Sequence, residues 1–177
     1  QNPTDQTRAR YLAEGEVLVR IGAASLNHRD QWIREGKYAK ITYPSILGSD
    51  GCGVVEDGSD EFRGKEVILN PNINWGESEQ AQASGYSILG MPVWGTFAEY
   101  CIVQPDRLHL KPEHLTVEQA AALPLAGLTA WRAVSVQGDV QPGHNVLVTG
   151  IGGVVAQFAF EFAQAICARV FVASGIS

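Results

Sequence analysis

The sequence predicts an α+β chain, with an irregular β-barrel-like domain over residues 1–115 followed by connecting helices and one βαβ unit over residues 116–177. Three observations predict it. Short strand-patterned segments punctuated by glycine fill residues 16–104, with one short helix among them. Helical signals begin at Thr116, and from His144 to Ala173 a strand, a glycine turn, a helix and a second strand follow in order. A unit of that kind is right-handed with parallel strands.

The elements are read in chain order. Val17, Val19, Ile21 and Ala23 recur at period two, which makes residues 16–25 a strand with one buried face. Asn27 is placed to cap a helix from His28 to Arg34 that Gly36 stops. In Ile46 to Val55 three glycines interrupt an apolar strand, a pattern that marks bulges or a close approach, so something packs or binds there. Lys65 to Asn70 reads as a strand. Residues 71–92 are polar and aperiodic and read as a long loop, and Gly95 to Gln104 returns to strand character. Thr116 and Gln119 form a capping box, and Pro124 ends that helix or opens the next, which runs through Leu125 to Val136 and stops at Gly138. His144 to Thr149 is a buried strand, Val154 to Ile166 a helix and Arg169 to Ala173 the next strand.

With 177 residues and 45% hydrophobic content the chain is long enough and apolar enough for a packed core. Thirteen Lys and Arg against nineteen Asp and Glu leave a net charge of -6 with no basic run, which excludes nucleic acid as a partner. No membrane-spanning stretch or signal segment is present, so the expected setting is soluble and cytoplasmic. Cys52, Cys101 and Cys167 are too few and too widely spaced for a disulfide framework or a Cys-x-x-Cys zinc site, and each is expected to be a buried small hydrophobe.

The turn Gly150-Ile151-Gly152-Gly153 lies directly between a strand and a helix, where backbone N–H groups face an incoming anion such as a dinucleotide pyrophosphate. Val155 stands at the third glycine position of that fingerprint, so the turn alone is equally a merely tight connection. Five segments extend the argument: ASLNHRD (24–30), YPSILGSDGCGVV (43–55), GTFAEYCIV (95–103), AAALPLAGLTAW (120–131) and NVLVTGIGGVVAQFA (145–159). Together they resemble the medium-chain dehydrogenase/reductase superfamily, particularly its zinc-type alcohol dehydrogenase-like and quinone oxidoreductase-like members. The resemblance implies a GroES-like β-barrel substrate domain followed by a truncated Rossmann remnant, with NADPH in the cleft between the domains.

The departures from the family pattern are specific. Zinc-dependent relatives carry a Cys ligand where this chain has Asn27, and a His ligand where it has Ser49. Neither replacement is a normal zinc ligand, so no zinc is expected there. The cysteine-rich structural zinc lobe would fall within residues 71–95, which contain no cysteine. A doubly wound domain has about six strands and two are visible here, so the chain is expected to be either a fragment or a natural truncation that binds NADPH weakly. A first strand at the amino end is expected to be missing too. The helix from Val154 to Ile166 confines its polar residues to Gln157, Glu161 and Gln164. It is expected to be buried, with a second subunit covering it in a homo-oligomer.

The same resemblance places the candidate site residues. Asn27, Arg29 and Asp30 are either a helix cap with a surface ion pair, or Asn27 and Asp30 orient substrate or a catalytic water. His28 is a general acid or base, or an exposed or structurally bonded histidine. Tyr38 matches a substrate-pocket tyrosine able to donate a hydrogen bond to a carbonyl, or it packs. Ser49 and Asp50 face the cleft, with Asp50 the candidate carboxylate base. Trp75 and Trp94 flank the long loop as rim aromatics for an apolar ligand or as core, and Thr129 matches a threonine near the nicotinamide in relatives that is expected to contact substrate in this truncated chain. Gly150, Gly152, Gly153 and Val154 would hold the cofactor if one is retained.

Three functions fit. One is a repurposed non-redox enzyme of isomerase, dehydratase or cyclase type that acts on a small apolar molecule. A second is a zinc-free NADPH-dependent reductase of an enone, quinone or aldehyde. The third is a non-catalytic binding protein built on the same scaffold.

Overall fold

The computed structural model describes residues 12–175. The period-two pattern builds β1 (Val17–Ser25), with Val17 and Val19 fully buried. This strand pairs antiparallel with β2 (Asp50–Asp57) on one side and β7 (Tyr100–Val103) on the other. β3 (Glu66–Leu69) and β8 (Leu108–Leu110) complete a five-stranded sheet in the order β7-β1-β2-β3-β8. Its inner face gathers Val17, Val19, Val55, Val67, Leu69, Leu89, Cys101, Val103 and Leu108 into one core. Burial of branched side chains at about 1.5–3 kcal/mol each is the main force holding the sheet. The expected missing first strand falls partly on residues outside those described.

Between β1 and β2 the chain forms α1 (His28–Arg34), entered through Asn27 in extended conformation. The Asp30 carboxylate accepts the Asn27 backbone N–H at 2.8 Å, and Gly36 leaves the helix at φ +71. Strand structure begins only at Asp50, because Gly48 turns the chain at φ +92. The close approach expected at these glycines is to the protein's own backbone. Gly95, Thr96 and Phe97 donate their N–H groups to the Ile46, Gly48 and Leu47 carbonyls at 2.8–2.9 Å. That crossing also explains why β7 begins at Tyr100 rather than Gly95.

Residues 71–92 are not the uninterrupted loop expected. They contain β4 (Asn72–Ile73) and β5 (Ser87–Leu89), which pair antiparallel, and reach β6 (Pro92–Val93), which runs parallel to β5. Strands of two or three residues are too short to show a period in the sequence.

α2 (Val117–Ala121) begins at the expected capping box, with Gln119 N–H donating to Thr116 Oγ1 and Thr116 N–H to Gln119 Oε1. Ala120 and Ala121 bury against Cys52, with Ala23 and Ile68 packed beside them. This packing puts α2 with the sheet, and the chain divides into compact units between Leu125 and Ala126, ten residues beyond the division read from the sequence. α3 (Pro124–Trp131) runs on into a π-helical segment, Arg132–Gln137.

In the second unit β9 (Asn145–Thr149) and β10 (Arg169–Ala173) pair in parallel, joined by α4 (Val154–Ala165), with Ile166 as the terminal cap. Trp131, Phe162 and Phe158 stack edge to face and face to face at ring separations of 5.6 and 6.0 Å. α4 is less enclosed than its composition predicts: only Ala163 is fully buried, while Val154 and Val155 stay exposed. Cys52 and Cys101 are buried as expected, but Cys167 is exposed, since it follows α4 in a left-handed turn at φ 64. Among the described residues no helix is long and apolar enough to cross a membrane.

The crossing of residues 95–97 over 46–48 is close enough to be tested. A Cβ on Gly95 would stand 2.0 Å from the Gly48 carbonyl oxygen and 2.6 Å from Gly90 Cα, both backbone atoms, whereas one on Gly85 would meet nothing within 4 Å. Gly95→Ala is expected to cost about 3 kcal/mol in urea unfolding and Gly85→Ala less than about 0.5 kcal/mol. Equal stability of the two variants would mean that the crossing is not held as described.

Candidate functional site

The site is assembled where α1, the turn at Gly48 and the start of β2 meet. Helix capping brings Asn27 and Asp30 to one end of α1, and the Asp30 carboxylate also accepts the Gly48 N–H at 3.2 Å. Asn27 Nδ2 donates to Asp50 Oδ2 at 2.9 Å, and the Leu125 backbone N–H donates to Asp50 Oδ1 at 2.8 Å. Both Asp50 oxygens are therefore taken, and the residue is only 1% exposed. Burial pushes the Asp50 carboxyl up to about 6, against the pull of the Asn27 and Leu125 donors; the charge of Asp30 adds to the rise and that of Arg29 opposes it.

Arg29 corrects the sequence reading. It is not half of a surface ion pair but a buried cation, whose Nη1 donates to Ser49 Oγ and to the Leu89 carbonyl, each at 2.7 Å, and whose Nη2 donates to the Met91 carbonyl at 3.2 Å. Ser49 is fully buried and donates its own hydroxyl proton to the Leu89 carbonyl at 2.8 Å. The ring of Tyr38 lies under the guanidinium, 5.2 Å from its central carbon to the ring centroid, a cation–π distance. Tyr38 is half-buried, and its hydroxyl bonds to none of the described residues.

Of the residues predicted from sequence, the structure gathers Asn27, Asp30, Tyr38, Ser49 and Asp50, with Arg29 at their centre. His28 is exposed on the first turn of α1 and stays outside the cluster. Trp75 meets Tyr86 edge to face at 5.1 Å, and Tyr86 donates its hydroxyl proton to Asn72 Oδ1. Burial raises the Tyr86 phenol, with Tyr38 adding to the rise and the charge of Arg29 opposing it. Sequence reasoning missed Tyr86, which sits in the stretch read as loop. Trp94 instead lines a groove of about 340 Å³ with Glu16, Val93, Tyr100 and Ile102, none of them a member of the cluster. Thr129 is exposed on α3.

Residues 13–113 match the alcohol dehydrogenase GroES-like domain. The chain belongs to that family. As a GroES-like alcohol dehydrogenase homologue it is a member of the medium-chain dehydrogenase/reductase superfamily, the resemblance already read from its motifs. It is 40% identical to the zinc-type alcohol dehydrogenase-like protein YogA of Leptosphaeria maculans over 173 residues, covering 90% of this chain and 48% of that protein. It is 37% identical to a zinc-type alcohol dehydrogenase-like protein of Schizosaccharomyces pombe, covering 97% and 51%. Among solved structures, an NAD-dependent alcohol dehydrogenase superposes with a TM-score of 0.86 at 39% identity over 94% of this chain and 52% of that one. The quinone oxidoreductase from Thermus thermophilus, solved also in complex with NADPH, superposes with a TM-score of 0.72 at 28% identity over 99% and 48%. The chain spans about half the length of the curated relatives it matches.

The donor chemistry of the cluster does not fit zinc. Among the described residues no group of three His, Cys, Asp or Glu side chains converges. Ser49 Oγ is held by a guanidinium, and Asn27 is turned with its amide nitrogen toward Asp50. The glycine turn does fit a dinucleotide phosphate. Gly150 adopts φ +69, a Cβ at Gly150 or Gly152 would project into open space, and the first turn of α4 carries no acidic residue.

Asp50 gives a stability signature. A carboxyl near 6 in the folded state against about 3.9 unfolded means that the folded chain binds more protons between those values, so stability falls as pH rises through that window. The stability of the parent minus that of Asp50→Asn is expected to drop by about 2 kcal/mol from pH 4 to pH 7 in paired urea titrations. A flat difference would show that Asp50 is not buried as described.

Proposed function

We propose that this chain provides the substrate-binding region and the phosphate-binding turn of a zinc-free, nicotinamide-dependent reductase acting on a carbonyl compound such as an enone, quinone or aldehyde. The observation that carries this reading is the Tyr38 hydroxyl. It is a proton donor bound to none of the described residues, beside a cluster in which Asn27, Ser49 and Asp50 are all engaged with one another, with Arg29 or with the backbone.

In this reading Tyr38 donates its hydroxyl proton as a hydrogen bond to the substrate oxygen, the task that a Lewis-acid metal performs in zinc enzymes. Preorganisation comes from Arg29, which holds the face of the Tyr38 ring and the Leu89 and Met91 carbonyls together. Asp50 is buried and held by two donors, so this reading assigns it a holding role and not proton transfer. Gly150, Gly152 and Gly153, with the N-terminus of α4 at Val154, would hold the pyrophosphate of the nicotinamide dinucleotide. When bound, that cofactor supplies the hydride. No observation favours isomerase, dehydratase or cyclase chemistry, and the named relatives are alcohol dehydrogenase-like proteins and oxidoreductases.

Calorimetric titration of the 177-residue chain with NADPH and then NADH is expected to return micromolar binding for one of them. Oxidation of the bound reduced cofactor by an enone, quinone or aldehyde is then followed by absorbance. Tyr38→Phe is expected to lower kcat by about 100-fold with cofactor affinity unchanged. No binding at millimolar cofactor, or a Tyr38→Phe variant of full activity, overturns the reading.

A further inference from the structure

The start of α3 carries an unusual arrangement. Pro124, its first residue, has no N–H, so Leu125 provides the first one the helix has to satisfy. Leu123, immediately before it, has no side-chain oxygen with which to cap. The acceptor comes instead from 75 residues away, where Asp50 Oδ1 takes the Leu125 N–H at 2.8 Å. The other oxygen of the same carboxylate takes Asn27 Nδ2 at 2.9 Å, and Asn27 is itself the cap of α1. One buried side chain thus joins the first turns of two helices that lie far apart in sequence.

We propose that Asp50 is a positioning residue, a carboxylate junction that fixes the start of α3 and the side chain of Asn27 at the same time, and not the proton-transfer base of the site. The chemistry requires a carboxylate. Two donors arrive from two directions, and an ionised carboxyl offers each of them its own acceptor oxygen, whereas a carboxamide has one acceptor and presents a donor on its other side. Asparagine at position 50 keeps the Leu125 bond only by turning its NH₂ group toward Asn27. Asn27 must then flip, which points its own NH₂ at the N–H groups of the first turn of α1. The strain is removed by moving the charge: in the double variant Asn27→Asp/Asp50→Asn, the carboxylate at 27 accepts from the new amide at 50, whose oxygen still accepts from Leu125. A carboxylate at 27 also suits a helix N-cap.

The effect on catalysis rests on the reading under Proposed function, but the junction itself is read without any ligand. Amide hydrogen exchange of the isotopically labelled 177-residue chain reports Leu125 directly. Asp50→Asn is expected to speed Leu125 exchange at least about tenfold relative to amides in β1 and β2, and the double variant to return it to within about threefold of the parent. In turnover with NADPH and a carbonyl substrate, Asp50→Asn is expected to raise KM more than it lowers kcat, with KM restored in the double variant. Unchanged Leu125 exchange in Asp50→Asn, or a double variant no better than the single one, overturns the proposal. If exchange behaves as expected while no variant or parent turns over, the junction stands and the reductase reading falls.

Discussion

The hydrogen bonds of Asp50 are the constraint on which the arrangement of the site depends. A carboxylate this deeply buried loses the solvation of its charge, and without donors it would be neutral or destabilising. Here the donors are an amide side chain and a backbone N–H, each bonded to a different oxygen. Neither donor is itself charged, so they offset only part of the desolvation, and the carboxyl stays harder to ionise than a free one. Everything adjacent is bound by the same requirement. Gly95 must be a glycine so that two backbones can cross beside Asp50, a Cβ on Gly48 would strike the Thr96 and Phe97 side chains, and Thr96 closes the crossing by donating Oγ1 to the Asp50 carbonyl at 2.7 Å.

Local signals in the sequence located the elements whose pattern is complete within a short window. The alternation in Val17 to Ala23, the box formed by Thr116 and Gln119, and the glycine turn between two apolar segments are each written within a few residues, and these elements lie where the pattern puts them. Misreadings fell where a long-range contact overrides local character. Arg29 reads as a surface cation because arginine is rarely buried, and only the Leu89 and Met91 carbonyls, about sixty residues on, make its burial tolerable. Cys167 reads as core from its apolar neighbours, yet it falls in the turn after α4. β4, β5 and β6 are set by pairing partners rather than by composition, so no window of sequence reveals them.

The candidate site was legible as a set of residues but not as a set of roles. Family motifs pointed to Asn27, Tyr38, Ser49 and Asp50, and these are together in the structure. What no motif carries is the partner of each. The Leu125 N–H that fixes Asp50 is a backbone group, present at every residue except proline, and it becomes special only because Pro124 and Leu123 leave α3 without a local cap. Tyr86 was hidden for a related reason: its contact with Trp75 and its bond to Asn72 depend on the small sheet that the sequence did not reveal.

Zinc and this cluster are alternative solutions to one structural problem. In the zinc-type pattern, a dication attracts side-chain donors from several segments and so ties them together. Here the positions of two such ligands hold Asn27 and Ser49, and the tie is made by a guanidinium and a carboxylate of the chain itself. Arg29 opposes a dication electrostatically. A dication brought within about 4 Å of a guanidinium is repelled by about 8 kcal/mol at an effective dielectric constant of about 20, and Arg29 is already 2.7 Å from Ser49 Oγ. The cation that organises this site is covalently part of α1, and under the proposed function it leaves the Tyr38 hydroxyl to meet the substrate oxygen.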